Sequence, residues 1–147
     1  DKVPKFEVND ADGNKVKSTD FKGKKHAIYF YPKDFTPGCS TQADEFSTDY
    51  KKFQNKDIEI IGISPDDVDS HKKFCEKMGI KYVLLADTEK EVSKAFDVWS
   101  MKKFMGREYM GVVRSTFLVN EKGKIFKIYP KVKPAGHAKQ VLEDFTK

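Results

Sequence analysis

Cys39 and Cys75 are the only cysteines in this 147-residue chain, and the surroundings of the first could make its sulfur reactive. Cys39 lies in the stretch Tyr31–Thr41, YPKDFTPGCST, where an apolar run gives way to a helical pattern. Thr36 suits a helix N-cap, Pro37 suits the first helical position, and Gly38 follows. Cys39 is therefore predicted in the first turn of a helix. Backbone N–H groups there lack intrahelical acceptors, and the helix dipole presents its positive end. Both effects favour a thiolate, the nucleophilic form of cysteine. Cys39 also opens the apolar stripe of its helix, and cysteine is among the residue types most often buried. On the local pattern alone, a reactive and a structural sulfur stand equal.

Neighbouring thiol chemistries fit less well. A dithiol motif needs Cys-x-x-Cys, but Thr36 and Gln42 occupy the flanking positions. A structural zinc site needs four clustered ligands, whereas His26, His71 and His137 are scattered and are expected as surface or capping residues. Spacing does not exclude a cysteine-protease arrangement, because its histidine can be distant in sequence, but nothing supports one.

The elements that must position Cys39 follow from apolar periodicity. His26–Tyr31 and Ile58–Ile63 are short apolar runs, read as buried strands, and Tyr82–Leu85 is a third. Between the first two, Cys39, Ala43, Phe46, Tyr50 and Phe53 recur at helical spacing. Ser64 is expected to cap a second helix, with Pro65 at its first position and Val68, His71, Phe74, Cys75 and Met78 along it, ended by Gly79. Asp87 is expected to cap a short helix running to Phe96. A last helix covers residues 136–145. Turn signals at Asp12-Gly13-Asn14 and Glu121-Lys122-Gly123 predict two hairpins. The segment holding Trp99, Met101, Phe104, Met105, Tyr109 and Met110 reads as a loop packed on the sheet, or as a wall for organic hydroperoxides or a docking face. Strand–helix alternation implies parallel pairing with right-handed crossovers, and the later hairpin adds antiparallel strands. The expected fold is α/β, a central mixed β-sheet flanked by helices on both faces, in a single domain spanning 1–147.

Composition limits the function class. A chain of 147 residues can bury a core without disulfide staples. Neither a membrane-spanning run nor a signal-peptide pattern is present in the sequence, and two cysteines so far apart do not read as a secreted disulfide framework. The expected location is the cytoplasm. The chain begins at Asp1 rather than methionine, which leaves room for a trimmed upstream segment. The net charge of +5 is dispersed, with short clusters at Lys22, Lys24, Lys25 and Lys131, Lys133. That pattern reads as a solvated surface rather than a nucleic-acid patch.

Pro32-x-x-x-Thr36-x-x-Cys39 resembles the active-site signature of the peroxiredoxins. The wider stretch YFYPKDFTPGCSTQADEF is similar to their bacterioferritin-comigratory-protein, or peroxiredoxin Q, branch. VPKFEVNDADGNKVKSTDFKGKK, IEIIGISPD, LLADTEKEVSKAFDVW and GVVRSTFLVNEKGKI resemble it in the same order. The resemblance implies a thioredoxin-like fold and a thiol peroxidase acting on hydrogen peroxide and organic hydroperoxides. It implies no metal, haem or flavin cofactor. It also implies a thioredoxin-like or glutaredoxin-like reductant and a monomer. Under it, Cys39 is the peroxidatic cysteine, Thr36 orients the peroxide, and Pro32 shields the sulfur from water. Arg114 stands beside the sulfur and stabilises charge as the O–O bond breaks, and the N–H groups of Gly38 and Cys39 complete the peroxide site.

The resemblance also bears on the second cysteine. Many of these relatives carry a resolving cysteine five residues after the first, where this chain has Asp44. Others place it on the helix after the next strand, as Cys75 is placed here, and this implies that Cys75 attacks the oxidised Cys39. A core cysteine on the stripe Val68, His71, Phe74, Met78 is the rival reading. A disulfide needs Cα atoms about 4.4–6.8 Å apart, so helix ends would have to open. If Cys75 is inert, an outside thiol completes a one-cysteine cycle. Gln42 stands where many relatives carry an acid and is expected either to tune the site or to be neutral. A redox-sensing binding protein that uses Cys39 as a switch, and a holdase chaperone, are the alternatives from other function classes.

Overall fold

The computed structural model describes residues 2–133 and 135–145. Strands β1 (Glu7–Asp10) and β2 (Lys15–Lys17) form a hairpin, followed by a 3-10 turn at Ser18–Phe21. Then come β3 (Lys25–Phe30), helix α1 (Pro37–Asn55), β4 (Ile58–Ser64), α2 (Val68–Met78), β5 (Val83–Ala86) and α3 (Glu91–Ala95). The chain ends with β6 (Trp99–Phe104), β7 (Arg107–Val112), β8 (Ser115–Val119), β9 (Ile125–Tyr129) and α4 (His137–Phe145). Seven strands make one sheet in the order β2-β1-β5-β4-β3-β8-β9. Strands β3, β4 and β5 run parallel, and β8 joins β3 antiparallel.

Alternation along the strands fills a core on each face of the sheet. Ala27 and Tyr29 of β3, Ile60 of β4, Leu84 of β5 and Leu118 of β8 face one side, where they meet Phe46 and Phe53 of α1, Phe74 of α2 and Val141 of α4. Ile28, Phe30, Ile61, Ile63 and Leu85 face the other side, with Phe21, Val92 of α3 and Phe117. Each large apolar side chain fully buried here contributes roughly 1.5–3 kcal/mol. Gly62 sits where the packing is tightest: a Cβ there would lie 2.6 Å from Leu84 Cδ2 and 2.9 Å from the Tyr29 ring. Among the described residues no helix is long and apolar enough to cross a membrane.

Three expectations need correction. Ser64 does not cap α2, because it is still paired in β4 opposite Ala86. The cap is Asp67, whose carboxylate accepts from the Ser70 N–H at 2.8 Å. The segment 99–112 is a hairpin rather than a loop, with Phe104 opposite Arg107 across the two residues Met105 and Gly106, both at positive φ. The three histidines are not surface residues: His26, His71 and His137 are all buried. The expected cap at Asp87 acts from upstream of α3, where its carboxylate accepts from the N–H groups of Val92 (3.1 Å) and Ser93 (2.8 Å).

Candidate active site

The chain leaves β3 at Phe30, loops through residues 31–36 and enters α1 at Pro37. Thr36 has the extended N-cap backbone (φ −80°, ψ 152°), and its carbonyl accepts the Ser40 N–H at 2.8 Å. Its side chain does not cap the helix; the hydroxyl donates to the Lys33 carbonyl at 2.8 Å. Phe35 holds a left-handed φ of 66°, unusual for a bulky side chain and of the kind that clusters at functional loops. Its ring packs edge-on against Phe74 of α2, with centroids 5.1 Å apart. The bend at Phe35 directs the chain into α1, so Cys39 lies in the first turn as expected, only 2% exposed. Gly38 and Cys39 are both first-turn residues, whose N–H groups have no intrahelical acceptor. Pro32 sits at the start of the loop, partly buried.

Arg114 comes from late in the chain but borders a strand that lies next to β3 in the sheet. It immediately precedes β8, whose register pairs Ser115 with Phe30, and so it stands where β3 ends and the Cys39 loop begins. Its Nη2 donates to Cys39 Sγ at 3.1 Å, and its Nη1 donates to Gln42 Oε1 at 2.6 Å. One planar guanidinium thus bridges two residues one helical turn apart. Gln42 is fully buried, and because a guanidinium only donates, its amide oxygen must face Arg114. As a neutral acceptor it fixes the arginine without cancelling its charge. Lys102 adds a second cation: its Nζ donates to the Val112 carbonyl at 2.9 Å. Burial, together with the nearby Arg114, holds its ammonium below the ordinary lysine value, while Cys39 pulls the other way.

Both cysteines are free thiols, Cys39 buried and Cys75 half-buried. Cys75 packs against the same apolar cluster as Cys39 and also lines a groove of about 310 Å³ with Asp10, Asp12, Lys72 and Glu76. Burial first, then the carboxylates of Asp34, Asp12, Asp10 and Glu76, push its thiol up to about 11. Cys75 is therefore protonated at neutral pH in the folded chain.

The sequence points only weakly to Gln42 and does not show that Asp34 and His71 meet. The one-turn spacing from Cys39 was the signal for Gln42. Asp34 and His71 carried no local signal, since they meet across 37 positions at 2.8 Å. Asp34, Asp66 and His71 have potential ligand atoms within 4.8 Å of one another. Those atoms already face protein partners: Ser70 and His71 at Asp34 Oδ2, and Ser64 and the Asp34 N–H at Asp66 Oδ2. The group reads as a polar tie rather than a metal centre.

The chain resembles known proteins in sequence and in fold. Residues 1–128 match the AhpC/TSA family. The chain is 45% identical over 142 residues to Peroxiredoxin Bcp of Bacillus subtilis (strain 168), covering 97% of this chain and 90% of that protein. It is 37% identical over 142 residues to Peroxiredoxin Bcp of Escherichia coli (strain K12), covering 97% and 91%. It superposes on Xanthomonas campestris peroxiredoxin Q with a TM-score of 0.91 at 35% identity, over 96% of this chain and 90% of that one. The Xanthomonas bacterioferritin comigratory protein matches equally well, in a structure described by its alkyl peroxide reduction activity and a trapped intermediate/ligand complex. Two of the Xanthomonas peroxiredoxin Q structures replace cysteines that stand 36 positions apart in that chain.

Proposed function

Since the chain belongs to the AhpC/TSA family, in its bacterioferritin-comigratory-protein (peroxiredoxin Q) branch, and is a thiol-dependent peroxidase, we propose that Cys39 is the peroxidatic residue and Cys75 the resolving one. The Arg114–Cys39 contact carries the reading. A fixed cation 3.1 Å from the sulfur is already in place to meet negative charge as it develops. The thiolate attacks one oxygen of a hydroperoxide, the O–O bond breaks, and the second oxygen leaves as water or an alcohol after taking a proton. Cys39 becomes a sulfenic acid. Thr36, donating to Lys33, offers its oxygen lone pairs to the peroxide O–H. The N–H groups of Gly38 and Cys39 donate to the peroxide oxygens, and Pro32 screens the sulfur from water.

Cys75 then attacks the sulfenic sulfur, water leaves, and a Cys39–Cys75 disulfide forms. A thioredoxin-like or glutaredoxin-like dithiol returns two electrons and two protons. What supports Cys75 is its position on α2 and its separation from Cys39, which matches the 36 positions between the two cysteines replaced in the Xanthomonas protein. Substrates on this reading are hydrogen peroxide and organic hydroperoxides, handled by a single domain working as a monomer. The cytoplasm is the compartment whose reductants keep such thiols reduced.

The test treats reduced protein with one equivalent of hydrogen peroxide, blocks free thiols and reads intact mass, with Cys75→Ser alongside. Loss of two hydrogens with no blocked thiol, and oxygen gained at Cys39 in the variant, is the expected result. Oxygen gained by the parent, with Cys75 still blockable after denaturation, reduces the cycle to one cysteine resolved by an external thiol. A Cys39 untouched by peroxide defeats the assignment.

A further inference from the structure

The Cys39 loop and the first half of α2 are joined by a buried polar network that the attack on peroxide does not use. Asp34, five residues before Cys39, takes the Tyr31 hydroxyl at 2.6 Å and the Ser70 hydroxyl at 2.8 Å, and faces His71 Nδ1 at 2.8 Å. His71 donates through Nε2 to the Leu85 carbonyl of β5 at 2.9 Å. The Asp34 N–H donates to Asp66 Oδ2 at 2.8 Å, and that oxygen also accepts the Ser64 hydroxyl at 2.6 Å. Residues 64–71 are thus tied both to the loop and to the sheet. Past Phe74 the character of the helix changes. Cys75 and Met78 are only half-buried, while Glu76, Lys77 and Gly79 are exposed. Gly79 ends the helix at φ 66°. Among the described residues the side-chain hydrogen bonds of this network end at His71, and the turn that carries Cys75 lies at the helix end, where local opening begins.

We propose that the Asp34–His71 pair is a pivot for disulfide closure: it holds the first half of α2 against the Cys39 loop while the turn carrying Cys75 unwinds toward the oxidised sulfur. This rests on the reading of Cys75 as the resolving residue. Cys75 lies four positions after His71, and Cys39 five positions after Asp34. An extended chain covers about 3.3–3.6 Å per residue, so roughly 13 Å and 17 Å of slack radiate from the pair. With the pair intact, the loop to be closed runs through about nine residues rather than about 36, and the three-halves-power dependence on length makes the shorter loop close roughly eightfold more often. Asp34 and His71 are positioning residues, acting on the second step and not on peroxide.

Rapid mixing with hydrogen peroxide, acid quenching and mass analysis of the sulfenic, disulfide and sulfinic forms test this on the parent, His71→Asn and the milder Ser70→Ala. Reaction of Cys39 with peroxide should be unchanged in both variants. Closure should slow about threefold to tenfold in His71→Asn, and less in Ser70→Ala, with more sulfinic acid in excess peroxide. Hydrogen exchange on the oxidised parent needs no substitution: the Ser70 and His71 amides, which donate to Asp67, should stay protected while residues 74–80 lose protection. Closure at the parental rate or faster overturns the pivot. Deprotection of the Ser70 and His71 amides on oxidation overturns it too, as does a parallel slowing of both steps, the mark of a merely structural role. If the parent forms no Cys39–Cys75 disulfide, the pivot falls with its premise, and a Cys75→Ser variant with parental turnover identifies that case.

Discussion

The guanidinium of Arg114 donates to the sulfur of Cys39 at 3.1 Å, although 75 positions separate the two residues in the chain. The same group anchors on Gln42 at 2.6 Å. Both nitrogens of the fork are committed, and this sets what can replace the arginine. Lysine keeps the charge but offers a single ammonium on a flexible stem. Arg114→Lys is expected to lower the rate of peroxide consumption by about two to three orders of magnitude, the usual cost of removing a preorganised donor. Stopped-flow kinetics would measure it, and a loss under tenfold would show that charge alone suffices.

Gln42 acts through Arg114, so its removal should cost less. Gln42→Leu strands one guanidinium nitrogen in a buried site and is expected to slow the peroxide step roughly tenfold, the value of a hydrogen bond to a charged group. Gln42→Glu restores an acceptor and should recover to within about threefold. Equal rates for Gln42→Leu and the parent would mean that Arg114 is held by something else.

Cys75, with its thiol pushed up to about 11, should resist alkylation while the fold is intact. In Cys39→Ser, the rate with iodoacetamide should climb about tenfold per pH unit from 7 to 10, since only the thiolate reacts. Adding urea should bring it to the rate of an ordinary thiol. A plateau near pH 9 in the folded protein would contradict this environment for Cys75.

His137 links stability to pH. Its ring is buried, with Nε2 2.7 Å from the Thr116 hydroxyl, and burial lowers it from 6.5 to about 4. The unfolded chain therefore binds the extra proton first. The stability from a neutral His137 is fully present above about pH 6.5 and is lost as pH falls toward 4, on the order of 2 kcal/mol by pH 5. His26, lowered mainly by burial, works in the same direction. Urea midpoints at pH 7 and pH 5 should differ accordingly, and the difference should shrink in His137→Asn. An identical pH response in that variant would remove His137 as the cause.

The parts of this protein that were legible in its sequence are those fixed by short-range pattern. The apolar runs of β3 and β4, the stripe from Cys39 to Phe53, and the Thr36-Pro37 start of α1 each depend on neighbours within a few residues. The site is less local. Arg114 could be named only because its sequence context resembled a family's, since nothing in GVVRSTF says which cysteine it will meet. The burial of His71 is not legible in sequence because its partners, Asp34 and Leu85, lie on other elements, and a histidine looks the same in sequence whether buried or not. The hairpin 99–112 was hidden because its turn is Met105-Gly106, with φ of 52° and 80°. Only the glycine matches the usual chemistry of such a turn.

The antiparallel pairing of β3 with β8 has a consequence for how the protein comes into being. Synthesis runs from the N-terminus, so α1 and its thiol emerge well before Arg114. Such long-range pairings are also slow to form. Until β8 docks beside β3, the chain carries the sulfur without the cation that faces it in the finished fold. On the proposed roles of Cys39 and Arg114, chemical competence arrives with the closing of the sheet, and a nascent or partly folded chain holds its cysteine without its arginine.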